Sequence, residues 1–281
     1  MESVRIKAYA KINLTLYITG TAGGYHNLDS IVSSVNLFDE ITLKKRKDKR
    51  VFVTMCGMGS EAILEDSNNA VKAAKLFIEK FSTDGVDITV NKNIPMGAGL
   101  GGSSADAAGV LNGLAKLYGI KDKESLKLIA DKTGSDTRYM LSGGYARLFG
   151  RGDTVKDIDG KLKLNILLLV PDENVSTAQC YSEFDKCGVT GGSSDFAERA
   201  IINADIRGLA DGLSNALMPA AVSLSGEIEK CVNALNEFSP LAVNMTGSGS
   251  GVYALFENKK LCAEAKSRYH GSARAYMLEV K

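Results

Sequence analysis

Histidine and cysteine, the usual side-chain ligands of structural zinc, are scarce in this chain of 281 residues. It has only two histidines and five cysteines, and no two cysteines have CxxC or CxC spacing. A structural zinc site needs closely spaced nitrogen and sulfur ligands, so we expect none here. The odd, scattered cysteines are typical of reduced thiols and predict a cytoplasmic protein without disulfides.

Long apolar runs and an excess of charge of either sign are also lacking. The longest strongly apolar run, 166–170, is far too short to span a bilayer, and Arg5, Lys7 and Lys11 interrupt the N-terminus, so no signal peptide is expected. The 34 Lys and Arg residues balance 33 Asp and Glu residues, which predicts no general attraction to nucleic acid or anionic membranes. The charged segment 44–50, KKRKDKR, has no interleaved aromatic residue and is predicted to be a solvated hairpin tip.

A glycine-rich stretch is the most distinctive feature that the chain does contain. Residues 94–111 read IPMGAGLGGSSADAAGVL, with four glycines between an apolar strand pattern and a helical pattern. Glycine allows a positive φ and a close approach of the backbone to a ligand. The start of a helix adds unpaired N–H groups and a partial positive charge. The stretch therefore predicts a phosphate-binding loop.

Three other interpretations of this stretch compete with that prediction. A Walker loop requires a lysine directly after the last glycine, and the next lysine is Lys116, which excludes it. The spacing of Gly97, Gly99 and Gly102 matches a dinucleotide fingerprint, but Asp122, at the distance of the ribose contact, lies in a polar helical start instead of at a strand end. A purely structural turn stays open, although it leaves the paired serines unexplained.

Apolar periodicity predicts a mixed α+β chain with two domains, 1–156 and 157–281. Alternating patterns predict strands over 4–18, 40–44, 51–55, 86–90, 145–149, 165–170, 241–245, 252–256 and 273–280. Helical spacing predicts helices over 70–81, 107–118, 123–132 and 259–268, with three or four more across 196–237. Residues 28–37 fit either a strand or a helix.

Three segments, in this order, resemble the GHMP kinase superfamily of small-molecule kinases. They are AYAKINLTL (8–16), the central Pro-x-Gly-x-Gly-Leu-Gly-x-Ser-Ser motif (95–104) and NMTGSGSGVYALF (244–256). The resemblance implies a ribosomal-protein-S5-like N-terminal domain, a ferredoxin-like C-terminal domain, and ATP and Mg²⁺ as cofactors. Within the superfamily, GYHNLDS (24–30) resembles kinases that phosphorylate the 2-hydroxyl of a cytidine-diphosphate-linked polyol in non-mevalonate isoprenoid biosynthesis.

The same resemblance implies a set of site residues. Asp136 matches the catalytic base, and Lys11 matches the lysine that keeps such a carboxylate ionised. The implied ATP-binding residues, of which Ser103 is also expected to hold Mg²⁺, are Asn69, Lys92, Pro95, Gly97, Gly99, Leu100, Gly101, Gly102, Ser103 and Ser104. The implied substrate-binding residues are Asn13, Tyr25, His26, Arg151, Tyr181, Gly247, Ser248 and Gly249.

Simpler roles and two departures from the family pattern keep alternatives open. Asp136 and the loop serines would also serve as helix caps, and 247–249 as a plain hairpin turn. The family's aspartate is followed by an apolar residue, proline and aromatics, whereas Thr137, Arg138 and Tyr139 follow here. LSNALMPA (213–220) also replaces a more acidic family segment. A homoserine- or mevalonate-type kinase and a catalytically silent nucleotide-binding relative remain alternatives; we expect a monomer or weak homodimer acting on small molecules.

Overall fold

A computed structural model describes residues 2–62, 68–187 and 189–281, which form two compact units. Unit 1 comprises the described chain up to Ala10, Leu37–Met96 and Gly101–Gly143; unit 2 comprises Lys11–Asn36, Gly97–Leu100 and Gly144–Lys281. The chain alternates between the units several times, and the boundary expected after residue 156 stays a prediction. Both units combine helices with sheets, which confirms the α+β class.

Strands and helices alternate along the described residues. The strands are β1 (Ser3–Asn13), β2 (Thr15–Ala22), β3 (Tyr25–Lys45), β4 (Val51–Gly57), β5 (Val86–Lys92), β6 (Tyr145–Gly150), β7 (Thr154–Asp157), β8 (Asn165–Val170), β9 (Ser214–Asn215), β10 (Ala242–Met245), β11 (Val252–Phe256) and β12 (Arg274–Glu279). The α-helices are α1 (Asn69–Phe81), α2 (Gly102–Tyr118), α3 (Lys123–Asp131), α4 (Thr137–Met140), α5 (Thr177–Cys187), α6 (Asp195–Ile202), α7 (Ile206–Asp211), α8 (Met218–Leu224), α9 (Gly226–Asn236) and α10 (Lys259–Arg268). In the part of the chain that the structure describes, no helix is long and apolar enough to cross a membrane.

Helix α1 and strand β5 belong to unit 1 and precede the glycine-rich stretch along the chain. The Asn68 side chain accepts a hydrogen bond of 2.9 Å from the Ala70 N–H and so caps α1, and the predicted apolar face of α1 is buried against α2 and β4. Strand β5 pairs in parallel with β4 and antiparallel with residues 40–45 of β3. The last residue of β5, Lys92, is followed after two residues by Pro95, where the loop begins.

The prediction that 44–50 is a hairpin tip is wrong. Strand β4 does not pair with β3; it lies on the far side of β5, in the order β4–β5–β3. The segment is thus a crossover. Its positive charge is offset locally, because Arg46 forms ion pairs with Asp48 and Asp87.

An antiparallel four-stranded sheet, β10–β11–β8–β12, forms the centre of unit 2. Strand β8 is buried on both faces, which accounts for its uninterrupted apolar sequence. One face places Leu167 and Leu169 in a core with Phe184 of α5, Ile228 of α9 and Cys262 of α10. The fully described segment 195–237 contains four helices, within the predicted range, whereas α5 was not predicted.

The first half of β3 also belongs to unit 2, where it pairs antiparallel with β2 and β6. Residues 28–37, which fitted either a strand or a helix, are therefore strand. A buried arginine joins this strand to α6: Arg147 of β6 donates hydrogen bonds to both carboxylate oxygens of Asp29 (2.7 and 2.6 Å) and to Glu198 (2.7 Å). Burial opposes the charge on Asp29, but the hydrogen bonds from Arg147 and Ser194 outweigh it and lower the pKa of Asp29.

Candidate active site

The glycine loop between β5 and α2 has the backbone conformation that only glycine adopts readily. Gly97, Gly99 and Gly101 have φ values of +68°, +71° and +71°. At Gly99 an added β-carbon would also collide with the Thr246 carbonyl. Gly101 is the N-cap residue of α2 and has no side chain that could cap the helix, and Ser103 and Ser104 lie in the first turn and not at the cap. An uncapped helix start behind a glycine loop suits an anionic ligand.

Three carbonyl groups fix the shape of this loop within unit 2. The Gly97 carbonyl accepts from Ser250 N–H (3.0 Å), the Leu100 carbonyl accepts from Lys11 N–H (3.0 Å), and the Gly99 carbonyl accepts from the Thr246 hydroxyl (3.1 Å). The same hydroxyl accepts from Asn13 N–H (3.0 Å). Thr246, which the sequence analysis did not select, therefore joins strand β1 to the loop.

We expect Thr246→Val to destabilise the glycine loop. Valine has nearly the same shape as threonine but leaves the Gly99 carbonyl and the Asn13 N–H without their hydrogen-bond partner. A buried unpaired polar group costs about 1–3 kcal/mol, so the free energy of unfolding should fall by that order. Affinity for a nucleoside triphosphate should fall too. Urea denaturation and nucleotide titration measure both effects, and Thr246→Ser, which keeps the hydroxyl, is the control. Equal behaviour of the two variants would contradict this role.

Two of the predicted site residues, Lys11 and Asn13, contact each other in unit 2. The Lys11 ammonium donates to Asn13 Oδ1 at 2.6 Å, and Gly247 N–H donates to the same oxygen at 3.0 Å. Both side chains are buried. Asn215, which sequence analysis also missed, donates from Nδ2 to the Gly247 carbonyl (2.9 Å). Thus three predicted residues, Lys11, Asn13 and Gly247, form one hydrogen-bonded group.

Four other predicted substrate residues form two ring contacts in unit 2. The Arg151 guanidinium lies 3.6 Å from the centre of the Tyr25 ring, which is half exposed. The His26 ring lies 4.8 Å from that of Tyr181, centre to centre, with 32° between their planes. His26 Nε2 is also 2.6 Å from Asp185 Oδ1. The remaining predicted residue with a polar side chain, Ser248, shares a hydrogen bond of 2.9 Å with Thr177 at the start of α5.

Polar side chains of unit 1 surround Gly134. Ser104 Oγ, Thr137 Oγ1 and Asn69 Nδ2 all lie within 3.2 Å of the position that a β-carbon at Gly134 would occupy. Asn69 Nδ2 also donates to Ser103 Oγ at 2.9 Å. Thr137 is fully buried, and Thr137 Oγ1 has no hydrogen-bond partner among the described residues. The structure thus brings the predicted residues Asn69, Ser103 and Ser104 together.

Lys92 is buried between two carboxylates of unit 1. Its ammonium forms ion pairs with Asp39 and with Asp106, the latter at 2.6 Å, and only 3% of its side chain is exposed. Burial disfavours the charge, but the two carboxylates outweigh it and raise the pKa of Lys92. The charge of Lys92 is therefore used within the protein, and any contribution to nucleotide binding stays a prediction.

Asp136 directly precedes helix α4 in unit 1, and its side chain makes no capping hydrogen bond to that helix. Arg138, two residues after the predicted base, donates to Asp131 at 2.6 Å. Tyr139 is buried and lies where the family pattern has an aromatic residue. Lys11 belongs to unit 2 and Asp136 to unit 1, and their pairing stays a prediction.

Comparison with known proteins gives consistent matches along the chain. The family model described as GHMP kinases N terminal domain matches residues 68–146, and that described as GHMP kinases C terminal matches residues 197–271. A 4-diphosphocytidyl-2-C-methyl-D-erythritol kinase from Caldicellulosiruptor saccharolyticus is 37% identical over 94% of this chain and 91% of its own length. Two solved structures resemble the fold. One is a 4-(cytidine 5'-diphospho)-2C-methyl-D-erythritol kinase (25% identity, TM-score 0.84, covering 99% of both chains), and the other is a homoserine kinase from Cytophaga hutchinsonii (16% identity, TM-score 0.77, covering 100% of this chain and 95% of that one).

Proposed function

This chain belongs to the GHMP kinase family, and from that premise we propose that it transfers the γ-phosphoryl group of ATP to the 2-hydroxyl of 4-diphosphocytidyl-2-C-methyl-D-erythritol. The reaction belongs to non-mevalonate isoprenoid precursor biosynthesis. The observation that carries the proposal is the ring cluster of Tyr25, His26, Tyr181 and Arg151 in a chain 37% identical to a relative of that name. A cytosine base suits such a cluster, because aromatic rings stack on its face and polar atoms pair with its edge.

We assign the finer architecture by strand order. Residues 157–281 contain the sequence β8–helices–β10–β11–α10–β12 in the antiparallel order β10–β11–β8–β12. A βαββαβ chain with this order is the ferredoxin-like arrangement. We assign residues 1–156 to the ribosomal-protein-S5-like domain on the resemblance of its motifs.

The proposed chemistry follows from what phosphoryl transfer demands: a fixed triphosphate, offset charge and an acceptor hydroxyl placed in line. Backbone N–H groups from Met96 to Ser104 would hold the phosphates. Asp136 would take the proton of the acceptor hydroxyl, and the Lys11 ammonium would keep that carboxylate ionised and offset the charge that develops on the transferred group.

The residues of unit 1 fit Mg²⁺ as a cofactor. Among the described residues no group of three or more His, Cys, Asp or Glu side chains is arranged to hold a metal ion. Mg²⁺ typically keeps several waters and binds through few protein oxygens together with substrate phosphates. Ser103 Oγ accepts one hydrogen bond from Asn69 and retains a second lone pair, so it would serve as such an oxygen. When bound, the ion would offset charge on the β- and γ-phosphates.

Substrate and nucleotide contacts complete the assignment. On the substrate side, Tyr181 would stack on the base, and Asn13 and the turn 247–249 would contact the polyol diphosphate together with Arg151. On the nucleotide side, Asn69 and the backbone near Lys92 would line the adenine pocket. Asn68 is a further candidate there, because its Nδ2 is buried and has no hydrogen-bond partner among the described residues.

Coupled assays of ADP release with three separate acceptors test the proposal. We expect turnover with 4-diphosphocytidyl-2-C-methyl-D-erythritol and none above background with homoserine or mevalonate. Turnover with either of the latter would replace the proposal by another small-molecule kinase of the family. ATP binding without turnover on any of the three would favour a catalytically silent relative. The ion pair between Arg138 and Asp131 argues against that outcome, because Arg138 then does not neutralise Asp136.

A further inference from the structure

Helix α5 holds the His26 ring through three side chains on one helical face. Asp185 Oδ1 lies 2.6 Å from Nε2, the Tyr181 ring lies against the face of the imidazole at 4.8 Å, and the Phe184 ring meets it edge-on at 6.0 Å. Positions 181, 184 and 185 are three and four residues apart, the spacing of one face. His26 is mostly buried, with 17% of its side chain exposed, whereas 56% of Asp185 is exposed.

The carboxylate determines which nitrogen of His26 carries the proton. An ionised carboxylate only accepts hydrogen bonds, so Nε2 must bear the hydrogen that it shares with Asp185. In a neutral imidazole the other nitrogen, Nδ1, is then an acceptor. Among the described residues Nδ1 makes no hydrogen bond, so it is available to a ligand. The contact with Asp185 also prevents the ring from turning over, which would exchange the two nitrogens.

We infer that Asp185 is a positioning residue that fixes the orientation and tautomer of His26 and so makes the site select an aminopyrimidine. This inference rests on the proposed function, since it assigns His26 to the cytosine base. Cytosine presents a 4-amino group, whose N–H donates a hydrogen bond to Nδ1. Uracil presents a 4-oxo acceptor at the same position, and two acceptors facing each other cannot share a hydrogen bond. A base-selecting hydrogen bond of this kind is therefore lost for uridine ligands.

Binding of CDP and UDP, measured by titration calorimetry, tests the role of Asp185. The test variant is Asp185→Ala, which keeps a good helix former at an exposed position of α5. Asp185→Glu retains a carboxylate and should restore selectivity at least in part. Asp172→Ala removes another carboxylate of unit 2, 86% exposed and paired at 3.6 Å with Arg274, and serves as the matched control.

We expect the wild type and the control to bind CDP at least about tenfold more tightly than UDP, the discrimination that one hydrogen bond of about 1.4 kcal/mol provides. In Asp185→Ala that ratio should fall towards one. In the kinase assay, the variant should raise KM for the cytidyl substrate while KM for ATP and kcat change little. A merely structural loss would instead weaken CDP and UDP alike and leave their ratio unchanged.

Two results would overturn the inference in distinguishable ways. If the wild type prefers CDP and Asp185→Ala keeps the full preference, Asp185 has no part in base selection, and the proposed function stands. If the wild type itself shows no preference for CDP, the cytidine assignment fails and the role of Asp185 fails with it.

Discussion

Asp136→Asn is expected to lower kcat by about 10²–10⁴-fold, the usual contribution of a positioned general base. Asparagine has nearly the same shape as aspartate but cannot take up the proton of the acceptor hydroxyl. Because the Asp136 side chain does not cap α4, the substitution should not disturb that helix. The loss should therefore appear in kcat, with the affinities for ATP and for the cytidyl substrate nearly unchanged.

Steady-state kinetics together with nucleotide titration separate these quantities. Asp84→Asn is a suitable control, because it makes the same change of charge at an exposed position of unit 1, where Asp84 faces Lys49 at 3.5 Å. It should keep wild-type kcat. Full turnover by Asp136→Asn in an active wild-type background would remove Asp136 from the mechanism and leave Lys11 without its assigned partner.

Much of the architecture could be predicted from local sequence patterns, because an element that is buried on one face has apolar residues at regular intervals. The spacing of Val71, Ala74 and Phe77 predicted α1, and the alternation of Val86, Ile88 and Val90 predicted β5. The glycine loop was predictable for a different reason. Most other residues rarely adopt the positive φ found at Gly97 and the neighbouring glycines, so a cluster of glycines indicates such a loop.

The parts that sequence patterns did not predict depend on contacts between distant residues. No local feature of β4 determines that it pairs with β5 instead of with β3. Helix α5 was not predicted. The contact between Asp185 and His26 could not be identified from local patterns either, because the two residues are 159 positions apart.

The burial of Lys92 was detectable in the sequence, but the residue was interpreted as a nucleotide contact. It occupies the next alternate position after Val86, Ile88 and Val90, so the period of two places it on the buried face of β5. A lysine there needs buried counter-charges. The resemblance suggested a nucleotide contact, although the strand pattern, extended to residue 92, indicates burial. Asp39 and Asp106, which are 53 and 14 positions away, could not be identified as partners from spacing.

Lys92→Met is expected to lower the free energy of unfolding by about 3–5 kcal/mol, because it leaves Asp39 and Asp106 buried without a counter-charge. The effect should extend to the glycine loop. Asp39 Oδ1 accepts hydrogen bonds from the N–H groups of Asn93 and Ile94 (2.5 and 2.8 Å), the two residues before Pro95. Displacement of Asp39 would release that segment, so the affinity for ATP should fall as well.

The sign of the pH dependence distinguishes this mechanism from a general loss of packing. Burial, with a smaller contribution from Asp39, raises the pKa of Asp106 to about 7 even beside Lys92. The folded state therefore holds a proton that the unfolded chain, with a carboxyl pKa of about 4, releases, and this group makes the protein less stable as pH rises from about 4 to 7. Without the ammonium Asp106 favours the protonated form more strongly, so the cost of Lys92→Met should be larger at about pH 8 than at about pH 5.

Urea denaturation at the two pH values measures this difference, with Lys230→Met as the control. Lys230 is 74% exposed and pairs with Glu227, so its loss should change the free energy of unfolding by at most about 1 kcal/mol at either pH. Adding Asp39→Asn and Asp106→Asn to Lys92→Met should recover part of the stability and remove the pH dependence, because no buried charge then remains. The loss in free energy of unfolding caused by Lys92→Met could instead be small, or equal at both pH values. Either result would mean that water or a structural rearrangement stabilises the two carboxylates without the ammonium. Lys92 would then be dispensable as their counter-ion, and the support it gives to the glycine loop would have to come from packing alone.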